Sequence, residues 1–85
     1  MDKFSFVKYD GENVVLVEKF WATGWIAKKI TKTGLLKSIN HIVFEQDVEC
    51  AIDPISNIKK SELDRMKIYH QDFVDYYNTI INEKI

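Results

Sequence analysis

Apolar and polar residues alternate with period two along much of the first half of the chain, and Gly11, Gly24 and Gly34 punctuate it. Phe4, Phe6 and Lys8 alternate with Ser5, Val7 and Tyr9, which predicts a strand. Asp10-Gly11 follows, a pair that readily takes the positive φ angles of a tight hairpin. The return segment, Asn13 to Phe20, is β-branched and apolar on both faces, so it is expected at the centre of a sheet. Residues 25–32 predict a weaker third strand, with Ile26 and Ile30 on one face and Lys28 between them. A short helix over residues 18–29 competes there, because Phe20, Trp21 and Trp25 also fit helical spacing, but Gly24 disfavours it by about 1 kcal/mol. Leu35 to Asn40 fits either a strand lead-in or one helical turn.

The clearest alternation lies in residues 42–52. Ile42, Phe44, Val48, Cys50 and Ile52 share one parity, and His41, Glu45, Asp47 and Glu49 share the other. This predicts one dry and one wet face, either on a bent strand or on a hairpin turning at Glu45-Gln46-Asp47. Asp53-Pro54 then combines a good N-cap with a good first helical residue. From Ser61, which forms a weak capping-box pattern with Asp64, the period changes to three and four. Leu63, Met66, His70, Phe73, Tyr77 and Ile80 mark an apolar stripe, and the spacing predicts a helix to about Glu83. The expected fold is α+β, an antiparallel β-meander of about four strands packed against a long C-terminal helix. Residues 1–85 form one domain, with 1–53 mainly β-sheet and 54–85 mainly helical, since 85 residues are too few for two self-supporting cores.

Composition narrows the function classes. With 46% hydrophobic residues, 11 aromatics, three glycines and one proline, the chain is neither disordered nor linker-like. Stability should be about 4–13 kcal/mol for this length. One cysteine and an N-terminus without an apolar leader segment fit a reducing, cytoplasmic setting, and no stretch approaches the about 20 apolar residues of a membrane span. Ile outnumbers Leu by 11 to four and Lys outnumbers Arg by 11 to one, a bias toward A/T-rich codons that suits a low-GC bacterium or its mobile elements.

Ligand and catalytic chemistry are thinly represented. His41, His70 and Cys50 are the soft ligand candidates, and their spacing matches no standard metal site. His41 and Cys50 have opposite parity, which puts them on opposite faces of an unbroken strand. Cys50 shares the dry parity, so it is expected to be buried and unreactive. No nucleophile elbow, phosphate-binding loop or dinucleotide fingerprint occurs, and neither catalysis nor a cofactor is expected.

The charge distribution is uneven. From Lys19 to Phe44 there are five lysines and no acid, while the remainder carries seven basic and 13 acidic residues, a balance of −6. Trp21 and Trp25 stand in the basic segment with Lys28, Lys29, Lys32 and Lys37, a combination able to pair with phosphates and stack on bases. The plainer alternative is a solvated lysine face with the tryptophans in the core. Glu45, Asp47 and Glu49 could likewise meet a basic groove on a partner or simply keep a strand soluble. Tyr69, Phe73, Tyr76 and Tyr77 carry more aromatic area than one sheet face absorbs; the stripe either forms a wall of the core or, through Tyr76, Tyr77, Ile80 and Ile81, contacts a protein partner or a second copy. The expected function is therefore a small non-catalytic binding or regulatory protein, acting by protein–protein contact and able to form a homodimer. A phage or mobile-element accessory factor inhibiting a host protein has this size and codon bias. A nucleic-acid-binding module built on residues 19–44 is the alternative.

Overall fold

A computed structural model describes residues 2–69 of the chain. Five strands, β1 (Phe6–Tyr9), β2 (Glu12–Lys19), β3 (Gly24–Ile30), β4 (Leu36–Phe44) and β5 (Val48–Ala51), pair antiparallel in the order β4-β3-β2-β1-β5. Helices α1 (Pro54–Asn57) and α2 (Lys60–Tyr69) follow. The β1–β2 connection has two residues, Asp10 at φ 51 and Gly11 at φ 75, so both adopt the left-handed conformation that a tight hairpin requires. Next to this turn Tyr9 lies opposite Glu12. β2 is interior to the sheet, and Val14, Val15, Leu16 and Val17 are all buried, as its apolar faces anticipate.

The connection from β4 to β5 shapes the whole sheet. These strands form its two edges, yet a single 3₁₀ turn, Glu45–Asp47, joins them. In a flat sheet the edges would lie about 19 Å apart, four spacings of about 4.8 Å. A 3₁₀ turn rises only about 2 Å per residue. The sheet must therefore curl until its edges approach at this end. Its concave face holds Val7, Val14, Leu16, Trp25, Ala27 and Val43, with Tyr9 and Val48 packed against them, so every strand contributes. The convex face carries Phe6, Val15, Val17 and Ile30, joined by Phe4, and is covered by Ile58, Leu63 and Met66. Asp53 caps α1 by accepting the Ile55 N–H at 3.2 Å, and Pro54 opens the helix.

The expectation of about four strands under one long helix is not met. The sheet has five strands, and the described helical part is a four-residue turn followed by a ten-residue helix. Phe73 and the rest of the stripe beyond Tyr69 lie outside the described residues. The alternation through 42–52 does not mark one strand or a hairpin, because the 3₁₀ turn sends the chain to the opposite sheet edge. Its parity is also misleading. Val43 is completely buried opposite Trp25, whereas Ile42, opposite Ile26, is 45% exposed. In β5, a register shift beside Tyr9 sets Cys50 opposite the exposed Lys8, and Cys50 is exposed rather than buried. The competing helix over 18–29 is absent, since β2 and β3 pair through that region. α2 begins one residue before Ser61, and Asp64 pairs with Lys60 at 3.3 Å and Lys67 at 3.8 Å instead of closing a capping box.

Candidate binding groove on the convex face

The short α2 anchors through Leu63 and Met66 on the half of the convex face built by Phe4, Phe6 and Val15. The described residues cover the β3–β4 half only in part. A groove of about 410 Å³ results, with Val17, Ile26, Leu36 and Met66 as its apolar floor. Charged side chains form its rim: Glu18, Lys28, Lys37, Glu62 and Arg65. Two of the cations are already oriented. Lys28 Nζ donates to the Ser38 carbonyl at 3.1 Å and to Asn40 Oδ1 at 2.9 Å. Arg65 Nη1 donates to both oxygens of Glu62, at 3.2 and 3.3 Å, which compensates the burial of an acid whose side chain is only 8% exposed.

Among the described residues, the groove continues as a partly exposed apolar strip. Ile42 pairs with Ile26, and two residues on Phe44 pairs with Gly24, so Ile42 and Phe44 extend the same face. Trp21 meets Phe44 edge to face at 6.3 Å between ring centroids. Phe20 lies over Gly24, where an added Cβ would stand 2.6 Å from the ring, so a side chain at that position would displace it. Trp21 is 61% and Phe20 51% exposed at the β2–β3 turn. Large exposed aromatics next to an apolar strip make this face a candidate contact surface.

The tip is braced from below. The Trp25 ring is buried, and its Nε1–H donates to Glu45 Oε1 at 2.8 Å. Lys19 Nζ lies 5.3 Å above that ring and 3.8 Å from Glu45. The Trp25 hydrogen bond, with smaller help from nearby positive charge that includes Lys19, holds the Glu45 carboxyl below its ordinary value of 4.5. The Glu45 N–H donates to the Thr23 carbonyl at 2.8 Å, tying the 3₁₀ turn to the β2–β3 tip.

The residues singled out in the basic segment are not gathered on one surface. Trp25 packs in the concave core, while Trp21 is on the opposite side at the tip. Lys28 and Lys37 border the convex groove. Lys29 pairs with Glu12 at 2.6 Å, and this contact keeps the Glu12 carboxyl below 4.5. Lys32 stands in the β3–β4 turn, away from the groove. The acidic strand face is similarly divided, because Glu45 serves Trp25 and Glu49 accepts the Gly11 N–H at 3.2 Å. His70 and the partner candidates Tyr76, Tyr77, Ile80 and Ile81 lie outside the described residues. Among the described residues, no three His, Cys, Asp or Glu side chains come together in a way that would hold a metal ion.

Sequence periodicity overlooked the strip. Ile42 and Phe44 carry core parity, and only the adjacency of Phe20-Trp21 to a turn glycine hinted that large apolar groups would be displayed. No family model, curated protein or solved structure matches the chain. No helix among the described residues is long and apolar enough to cross a membrane.

Proposed function

We propose that the protein is a non-catalytic binding protein that receives an extended segment of a protein partner along the convex strip. The observation that carries this is the continuity of Phe20, Trp21, Phe44 and Ile42 with the apolar groove floor. Large, rigid aromatic side chains give much contact area at little entropic cost, which is why a few of them dominate interface energies. The rim defines the segment's chemistry. Three cations, Lys28, Lys37 and Arg65, face two acids, and Glu62 is already engaged by Arg65. A segment with apolar side chains for the floor and a carboxylate for Lys28 and Lys37 is complementary. Action by occupancy suits an accessory factor that blocks a surface of a host protein. The nucleic-acid alternative has less support, because Trp25 is buried and the lysines point to different sides.

Selection of peptides from a random display library tests the proposal. Recovered peptides should be apolar with an acidic flank, and their affinity should fall at least about tenfold, or about 1.4 kcal/mol, for Trp21→Ala and Ile42→Glu. Thermal midpoints measured alongside separate lost binding from lost folding. Failure to enrich any peptide, or binding indifferent to both well-folded variants, would overturn the assignment. Retention on a nucleic-acid column that falls with salt would favour the alternative.

A further inference from the structure

We propose a second site, independent of the convex strip: the polar cleft between the β3–β4 turn and the α1–α2 junction binds a phosphate group. The cleft measures about 390 Å³, and its lining includes Lys32 and Thr33 from the turn and Ser56, Lys59 and Lys60 from the junction. Among the described residues, no carboxylate lines it. Two segments distant in sequence thus bring three cations to one concavity. Lys32 and Lys59 form no ion pair among the described residues, whereas Lys60 Nζ is 3.3 Å from Asp64. Asp53, beside the cleft, is held by its wall, accepting from the Ile55 N–H at 3.2 Å and from the hydroxyl of the cleft-lining Ser56 at 2.8 Å.

The walls are locked in place. The Lys59 N–H donates to the Gly34 carbonyl at 2.9 Å, and Gly34 has φ +83. A Cβ on Gly34 would stand 3.0 Å from the Lys59 nitrogen, so the absence of a side chain permits this approach. Across the cleft floor Asn13 Nδ2 donates to Asn57 Oδ1 at 3.2 Å. The Gly34–Lys59 backbone contact brings Lys32 and Lys59 to one cleft, and an anion between them offsets the repulsion of their like charges. A phosphate answers this arrangement, because its several oxygens accept from both ammonium groups and from the Thr33 hydroxyl at once. The volume exceeds that of the phosphate alone and leaves room for the group that carries it.

Amide NMR titration with inorganic phosphate, compared with sodium chloride at equal ionic strength, tests the site. Saturable shifts should centre on Thr33, Gly34 and Lys59, and a Lys32→Ala/Lys59→Ala variant should lose at least tenfold in affinity with an unchanged melting midpoint. Lys8→Ala, on an exposed part of β1, should bind as wild type. Parallel titrations with a phosphoserine peptide and with a nucleoside monophosphate distinguish the carriers, since the tighter ligand identifies the source and equal affinities identify free phosphate. Shifts no larger than those in sodium chloride, or binding retained by the double variant, would overturn the site. Neither outcome bears on the peptide-binding strip, which shares no residue with this cleft.

Discussion

Val43 and Ile42 are sequence neighbours with opposite fates, and truncating each in turn measures how the sheet is wound. Val43 is 0% exposed and packs among Leu16, Trp25 and Ala27, whereas Ile42 is 45% exposed beside the groove. Val43→Ala deletes two buried carbons, about 1.6 kcal/mol of transfer free energy at about 0.8 kcal/mol each. The unfilled space should raise the total to about 2–3 kcal/mol, because a core closed by a curled sheet collapses poorly. Ile42→Ala deletes three carbons, but with nearly half the side chain in water and no enclosed void the cost should be about 1 kcal/mol. Both variants place alanine in the same strand, so the β-propensity penalty largely cancels in the comparison. At about 4–8 °C per kcal/mol for a domain of this size, Val43→Ala should melt about 5–15 °C below Ile42→Ala. Far-UV circular dichroism melts of wild type and both variants read this directly. Equal midpoints, or a lower midpoint for Ile42→Ala, would refute the winding of β4 and with it the exposure of the apolar strip.

Cys50 should react with a thiol reagent in the native protein nearly as fast as in denaturant, because it is exposed on β5; protection by folding would show that the β1–β5 register is different. Glu45 and Glu12 both have carboxyls held below 4.5, by Trp25 and Lys19 and by Lys29 respectively, so their stabilisation is complete above about pH 5 and fades as pH falls through the depressed folded values. Urea denaturation between pH 3 and pH 6 should therefore show a shallower acid-side loss in Glu45→Gln than in wild type, and identical slopes would contradict the Trp25–Glu45 pairing. Gly34→Ala should destabilise by about 1–2 kcal/mol from the left-handed backbone alone, with the Lys59 contact adding to it; an unchanged denaturation midpoint would show that the turn does not press on the α1–α2 junction.

Local chemistry was legible wherever short-range sterics or burial on two faces decided the outcome. Asp10-Gly11 announced the hairpin because few residue pairs tolerate two positive φ angles in succession. The β-branched, doubly apolar run of β2 announced a central strand because an edge or solvated face would leave half of it wet. Asp53-Pro54 announced α1 through capping geometry alone. The candidate site was far less legible. Trp21 and Trp25 are four residues apart and chemically identical, yet one is braced in the core against Glu45 and the other is displayed at the tip.

What the sequence determined by itself was therefore the Asp10-Gly11 turn, the central strand, the first cap and the identity of the charged segments. Each depends on a few consecutive residues and on preferences of up to about 1 kcal/mol that act within them. Tertiary structure decided which face of β4 is dry, whether Cys50 meets solvent, and which lysines converge. Alternation reports that two sets of side chains lie on opposite faces, but both faces of this sheet are partly apolar, so parity alone cannot say which one closes. The 3₁₀ turn at Glu45–Asp47 settles it by bringing the sheet edges together, burying Val43 inside the curl and turning Ile42 toward the groove. The cleft of Lys32 and Lys59 has the same origin, since only the packing of the Gly34 turn against the α1–α2 junction makes neighbours of residues so far apart in the chain.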